Sequence, residues 1–450
     1  MTEEAQSDAS RGLRHALLGQ ARVAHIPGLT GDVAVKPIST VAIVGGGLMG
    51  TGIAIALLNA GLPVTLVETN PAALERATAN IRKSLERDVA RGRITQAVAD
   101  SRIAALTPAG TLDVLGNVDL VIEAVFEDLD VKKQVFQALE EIVRPDTILA
   151  SNTSTLDLDA IAAFTQRPEN VVGLHFFSPA NIMKLLEVVR GARTSQSVLA
   201  SAMQFAKAIG KIGVVAGVCD GFIGNRIFEE YLRQAWFLLE EGALPSQVDR
   251  ALEDWGMAMG PCRTMDLAGQ DIGWSIRKRR AIEHPDRPYS KVIDRVCELG
   301  RFGQKTGAGL YLYPDGRTAV VDPEIDAIIV AYSAELGLER RAISDAEIVS
   351  RCLFTMINEG ARIVAEGIAY RPVDIDVIYL NGYGFPAERG GPMFQADLIG
   401  LPQVLATIET YAAGRNGWAW EPAPLLRDLV ARGASFEGLN EAYGEQTAAR

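Results

Sequence analysis

The first strongly patterned stretch of the chain is an apolar run, Thr40-VAIVG, that ends in glycines. A run with no polar alternation fits a strand buried on both faces of a parallel sheet. Leu48 to Asn59 then reads as a helix, and Pro63-VTLVE as a second buried strand. Pro71 starts another helix, whose alternating charges from Glu75 to Arg93 indicate one solvated face. Four further β-like runs follow: Val118-DLVIEAV, Thr147-ILASN, Asn170-VVGLHFF and Lys184-LLEVVRG, with helical spacing between most of them. Strand alternating with helix predicts an α/β fold, a doubly wound Rossmann-type sheet. After about Cys219 the alternation stops. Apolar spacing of 3.6 residues over 221–257 and 346–368 predicts an all-α remainder.

That helical half repeats itself. Arg226, Glu241, Gly242, Val248 and Asp249 recur 125 positions later as Arg351, Glu366, Gly367, Val373 and Asp374. Gly260-Pro261, Asp266 and Gly269 recur 131 positions later as Gly391-Pro392, Asp397 and Gly400. Two amphipathic helices can resemble each other by chance, but Gly, Pro and Asp in register at loop positions favour a duplicated helical domain. The change of offset marks a six-residue loop insertion in the second copy. The expected organisation is a tail and linker helix (1–39), a dinucleotide-binding domain (40–219), a first helical domain (220–335) and a second copy (336–450).

Composition narrows the function classes. With 48% hydrophobic residues the chain has ample material for cores, which excludes a disordered protein. A net charge of -12 argues against nucleic acid or an anionic membrane as partner. Cys219, Cys262, Cys297 and Cys352 are scattered without metal-ligand spacing, so no metal site and no disulfide framework is expected. The polar start, MTEEAQSDAS, is unlike a signal peptide, and no apolar run reaches the roughly 18 residues of a membrane helix. The ending TAAR is not a peroxisomal SKL-type address. A cytoplasmic, soluble protein is therefore expected.

Chemistry concentrates at two places. Gly45-Gly46-Gly47-Leu48-Met49-Gly50 satisfies GxGxxG between a strand and a helix. Gly45 permits the tight turn, Gly47 lets the backbone approach a pyrophosphate, and Gly50 allows close helix–strand packing. An ordinary glycine turn is the alternative. Glu68, closing the next strand with no adjacent Arg or Lys, suits ribose hydroxyls and disfavours a 2′-phosphate, so NAD is expected over NADP. The second place is His175, which ends an apolar strand at the carboxyl edge of the sheet. Glu187, acidic within an apolar run 12 residues on, could return beside it by a strand–loop–strand path. A satisfied core histidine with a structural carboxylate would read the same way.

The motifs GGGLMGTGIA, VIEAVFEDLDVKK, ASNTSTL, GLHFFSPANIMKLLEVV, CDGFIGNRI, MGPCRTMDLAG and FGQKTGAGLY resemble the L-3-hydroxyacyl-CoA dehydrogenase family in order and spacing, over residues 40 to about 315. EIVSRCLFTMINEGARI, IDVIYLNGYGFP and GGPMF resemble the second helical copy of multifunctional, peroxisomal bifunctional-type β-oxidation enzymes. The resemblance implies NAD-dependent oxidation of an L-3-hydroxyacyl-CoA to a 3-ketoacyl-CoA. It makes His175 the base, Glu187 its orienting carboxylate, and Ser154 and Asn225 substrate-side polar groups. It places Glu68, Ala124, Glu127, Lys132, Asn152 and Lys305 at NAD, beside the glycine loop with Leu48 and Met49, and it places Ser84 and Arg91 at coenzyme A. Ser178 and Asp220 depart from the simple dehydrogenases' Asn and Pro. Only the linker of the multifunctional enzymes' hydratase half is present, so hydration of enoyl-CoA is not expected of this chain. Simple dehydrogenases of the family dimerise through their one helical domain. Here the second copy is expected to cover that face (Ile227, Phe228, Leu232, Trp236, Leu239) and leave a monomer. Two other readings remain: a β-hydroxyacid dehydrogenase acting on a free carboxylate, and a non-catalytic NAD-binding protein.

Overall fold

The computed structural model describes residues 7–29 and 33–448, with side chains to residue 442. Two compact units make up the chain. One comprises Leu13–Asn225, Ile363–Tyr383 and the described residues from Phe436 on; the other comprises the described residues up to Gly12, Arg226–Arg362 and Gly384–Ser435.

After helix α1 (Asp8–Val23), the first unit builds β1 (Val41–Val44), α2 (Leu48–Asn59), β2 (Val64–Val67), α3 (Pro71–Ala90), α4 (Gln96–Ala104), β3 (Leu106–Ala109), β4 (Leu120–Glu123), α5 (Leu129–Ile142), β5 (Ile148–Ser151), α6 (Leu158–Ala162), β6 (Val171–Phe176), β7 (Leu185–Arg190), α7 (Gln196–Ala208) and β8 (Ile212–Gly217). The strands form one eight-stranded sheet in the order β3-β2-β1-β4-β5-β6-β7-β8. The first six are parallel in the Rossmann order, which reverses between β1 and β4 and leaves a crevice beyond their carboxyl ends. β7 then runs antiparallel to β6, and β8 parallel to β7. Every residue of β1, β4, β5 and β6 is buried, as their unbroken apolar pattern requires.

Two strands of the sheet escape the sequence reading. β3 (Leu-Thr-Pro-Ala) forms one edge with Thr107 and Pro108 exposed, so it carries little apolar signal, and its proline sits where an edge strand tolerates one. β8 forms the other edge. His15 of α1 is also buried, with its Nε2 2.9 Å from the Asp376 carboxylate, although nothing in its sequence setting marks it.

The helical remainder comprises α8 (Gly224–Glu241), α9 (Pro245–Trp255), α10 (Pro261–Ala268), α11 (Gln270–Glu283), α12 (Val292–Glu298), α13 (Pro323–Glu335), α14 (Asp345–Ala365), α15 (Pro372–Gly382), α16 (Pro392–Ile399), α17 (Leu401–Ala412), α18 (Pro424–Arg432) and α19 (Phe436–Ala448). A two-stranded ribbon, β9 (Tyr311–Leu312) with β10 (Val320–Val321), is the one departure from an all-α pattern among the described residues there. The second copy is shared between the units: α15 belongs with the sheet, where Gly217 N–H donates to the Ile368 carbonyl at 2.7 Å.

Within the second unit the two copies exchange equivalent contacts. Arg226 Nε donates to Glu359 Oε1 at 2.7 Å, and Arg351 Nε donates to Gln234 Oε1 at 3.2 Å. Positions 226 and 351, and positions 234 and 359, are each 125 apart. Residue i meets j while the counterpart of i meets that of j, which is the signature of a two-fold interface built into a single chain. Ile227, Trp236 and Leu239 of α8 are buried, and Phe228 and Leu232 are half-buried.

Candidate active site

The site lies in the unit that contains the sheet. β1 ends at Val44, and three glycines follow, the last of them, Gly47, the N-cap of α2. Gly45 has φ +109°, and a Cβ there would stand 2.5 Å from the Ala124 carbonyl oxygen, so only glycine fits. A Cβ on Gly50 would lie 1.9 Å from the Gly45 carbonyl oxygen. Gly47 has no atom within 4 Å of a Cβ position, which leaves the N-terminus of α2 open to an anion. Leu48 is exposed there and Met49 is half-buried against the core. Glu68 closes β2. Its carboxylate accepts the N–H of Gly46 and of Asn70, both at 2.9 Å, and each oxygen keeps a further lone pair for a ribose hydroxyl.

Across the crevice, β4 ends in Glu123, fully buried. Lys132 of α5, 1% exposed, donates to Glu123 Oε1 at 2.7 Å and lies 3.3 Å from Glu127 Oε2. Ser151 Oγ donates to the other oxygen of Glu123 at 2.7 Å. Glu127 Oε1 accepts Thr153 Oγ1 at 2.6 Å and the N–H groups of Ser154 and Thr155 at 2.8 and 3.1 Å. Burial works to raise the pKa of Glu127, but the Lys132 ammonium and these donors outweigh it and hold the carboxyl below its ordinary range. Lys132 and Glu127 therefore fix the loop that presents Ser154. Asn152 Oδ1 accepts Phe176 N–H at 2.9 Å, tying the ends of β5 and β6 together.

His175 and Glu187 are cross-strand partners in the antiparallel β6–β7 ladder. That pairing places them on one face, and His175 Nδ1 lies 2.7 Å from Glu187 Oε2. Glu187 Oε1 accepts the backbone N–H groups of Ile223 and Gly224 at 3.2 and 2.9 Å. With both carboxylate oxygens acting as acceptors, Nδ1 is the nitrogen that carries a proton, so in the neutral ring Nε2 is the one with the lone pair. Phe177 packs on the imidazole with centroids 4.5 Å apart, and Phe222 lies at 5.7 Å. Phe222 has φ +47°, a conformation a bulky residue adopts only where its surroundings hold it. Asn225 follows, its Oδ1 accepting Tyr383 Oη at 2.7 Å.

The structure thus brings His175, Glu187 and Asn225 into one hydrogen-bonded and ring-packed cluster. Asn152, tied to Phe176, follows the end of β5 beside this cluster, with Ser154 two residues on and held by Glu127. Ser84 is buried on α3, where its Oγ accepts Arg87 Nη2 at 3.4 Å, and Arg91 caps the same helix, exposed. Lys305 belongs to the other unit, where its ammonium pairs with Asp271 at 2.6 Å. Sequence reasoning missed Glu123, Phe177, Phe222 and Tyr383. For Tyr383 a signal existed, since it falls in the stretch where the two helical copies differ in length.

Comparison with known proteins gives the following. The family model described as 3-hydroxyacyl-CoA dehydrogenase, NAD binding domain, matches residues 40–219. The C-terminal domain model of the same family matches twice, at 221–313 and 348–438. The peroxisomal bifunctional enzyme of Danio rerio is 48% identical over 414 residues, covering 89% of this chain and 57% of its own length. The human (Homo sapiens) peroxisomal bifunctional enzyme is 42% identical over 447 residues, covering 95% and 62%. The chain therefore spans about three fifths of the length of these curated relatives. Among solved structures, 3-hydroxybutyryl-CoA dehydrogenase from Escherichia coli superimposes with a TM-score of 0.78 at 29% identity, over 88% of this chain and 100% of that one. The dehydrogenase part of multifunctional enzyme 1 from C. elegans gives 0.68 at 29% identity, over 95% and 100%.

Proposed function

Because the chain belongs to the 3-hydroxyacyl-CoA dehydrogenase family, carrying its NAD-binding domain and two matches to its C-terminal domain, we propose that it oxidises an L-3-hydroxyacyl-CoA to the 3-ketoacyl-CoA. NAD, when bound, supplies the hydride acceptor. The glycine loop fits that cofactor, since Gly45 and Gly50 admit no side chain and Gly47 leaves the start of α2 open. The observation that carries the reading is the His175 Nδ1 to Glu187 Oε2 hydrogen bond of 2.7 Å at the carboxyl end of β6.

Losing a hydride leaves positive character at C3 unless the hydroxyl proton also departs. His175 Nε2 takes that proton while Glu187 holds Nδ1–H and stabilises the imidazolium. Ser154 and Asn225 donate to the C3 oxygen or the thioester carbonyl and so orient the substrate. Ala124, beside Gly45, and Asn152 line the nucleotide side. Glu127 positions Ser154, and Lys132 acts through Glu127. Ser84 and Arg91, joined by Arg87, serve coenzyme A, and Lys305 is assigned to the cofactor by its motif position. The boundaries 1–39, 40–219, 220–335 and 336–450 are part of the same reading.

The purified chain should consume NADH when given acetoacetyl-CoA. It should use NADPH far less well, because Glu68 opposes a 2′-phosphate. Equal kcat/KM for the two cofactors would remove the role of Glu68, and no turnover with either would remove the activity.

We also propose that the chain is a monomer. The exchange of Arg226–Glu359 against Arg351–Gln234 supports this, because the helix face that would pair two subunits is engaged within one chain at high effective concentration. Light scattering at micromolar protein is expected to give one chain mass, and a dimer that persists on dilution would refute it. Relatives are named for peroxisomes and glyoxysomes. The four cysteines, without a disulfide among the described residues, fit any reducing compartment. We propose the cytoplasm as the location, and cell fractionation tests it.

A further inference from the structure

We propose that Tyr383, contributed by the second helical copy, is a positioning residue that locks the Asn225 side-chain amide so that its Nδ2 faces the substrate oxygen. The inference rests on the dehydrogenase reading, in which Asn225 meets substrate.

Tyr383 closes α15 as its C-cap and reaches a partner 158 residues away. Its Oη donates to Asn225 Oδ1 at 2.7 Å. Several contacts define the ring position. Tyr379 stacks on it with centroids 4.7 Å apart and planes at 19°, and Phe177 meets it edge-on at 5.7 Å. Phe177 is the same ring that packs on His175. The phenol also lies over Gly224, where a Cβ would stand 2.5 Å from Tyr383 Oη, so the residue before Asn225 can carry no side chain.

The backbone at this point is held from both sides. Glu187 Oε1 accepts Gly224 N–H at 2.9 Å, and Tyr379 Oη donates to the Gly224 carbonyl at 3.2 Å. The Asn225 amide is the next group along. A side-chain amide is an acceptor at one end and a donor at the other, and a half-turn exchanges them. With the phenol donating to Oδ1, the end left for substrate is Nδ2, the donor that a carbonyl or alkoxide oxygen requires. Burial first, and then the nearby Glu187 charge, push the Tyr383 hydroxyl well above its ordinary pKa, so it stays protonated and able to donate.

The first helical copy has no matching tyrosine, since the 125-residue offset leads to Ala258 and the 131-residue offset to Leu252. Tyr383 lies in the inserted stretch of the second copy. That copy therefore does more than cover a helix face.

Tyr383→Phe removes the donor and keeps the ring. It is expected to lower kcat/KM for acetoacetyl-CoA by roughly 3- to 10-fold, the range for one neutral hydrogen bond, with NADH affinity unchanged. In an Asn225→Ala background the same change should have no further effect, because the two residues act as one. A role in folding alone would shift the melting temperature without that coupling. Asn225→Asp gives a second route: it still offers the phenol an acceptor but has no donor for substrate, and should lose as much activity as Asn225→Ala. Wild-type kcat/KM in Tyr383→Phe, an undiminished loss in the Asn225→Ala background, or an active Asn225→Asp would each overturn the proposal while leaving the dehydrogenase reading standing. A parent chain unable to reduce acetoacetyl-CoA would overturn both.

Discussion

Replacing His175 by Gln is expected to lower kcat by roughly 10²- to 10⁴-fold, the contribution of a well-placed general base, while NADH binding measured by fluorescence is unchanged. Glutamine fills similar space but has no lone-pair nitrogen to receive the C3 hydroxyl proton. Glu187→Gln is expected to fall in the same range for a different reason. Glu187 Oε1 accepts two backbone N–H groups, from Ile223 and Gly224, so in the variant the amide oxygen must stay there. The NH2 end then points at His175 Nδ1, where the native carboxylate oxygen stands 2.7 Å away. A donor at that point forces the proton onto Nε2, the wrong tautomer for a base. A Glu187→Gln variant with near-native kcat would show that the carboxylate does not set the tautomer. A His175→Gln variant with near-native kcat would end the assignment of the base.

That cluster was only half legible in the sequence. A lone histidine ending an apolar strand, with a glutamate 12 residues on, describes a satisfied core pair equally well. What decides between them is register. Antiparallel pairing sets His175 directly opposite Glu187, whereas a one-residue slip would turn one of them to the other face of the sheet. The glycine loop was more readable, because its requirements are local: a turn with φ +109° at Gly45 and a helix start one residue beyond Gly47. α2 runs over Leu48–Asn59, the span its apolar spacing predicts. β3 was not readable, since an exposed edge of Thr and Pro has no burial pattern to leave in the sequence. Tyr383 lies at the far limit of legibility. Its partner is 158 positions away, and the only trace of it was a change in repeat offset from 125 to 131.

The buried cation of the site leads to a second large effect. Lys132→Met is expected to destabilise the fold by about 3–5 kcal/mol, the cost of leaving one member of a buried ion pair alone. Lys132 is 1% exposed and Glu123 fully buried, so water cannot replace the lost ammonium. Glu123 would keep the hydrogen bonds from Ser151 Oγ and Val125 N–H, at 2.7 and 2.8 Å, which do not cancel its charge. Adding Glu123→Gln to Lys132→Met removes that charge and should recover most of the loss in a urea titration. The contact of 3.3 Å to Glu127 carries the effect into the site. Without the cation Glu127 is drawn upward by its burial, and its grip on Thr153, Ser154 and Thr155 weakens. Activity should therefore fall in step with stability and recover only in part in the double variant, since Glu127 stays unpaired. The motif match alone suggests instead that Lys132 touches the nucleotide. In that case NADH affinity would drop sharply while the urea midpoint barely moved, and Lys132 would be a cofactor contact rather than the anchor of the Ser154 loop.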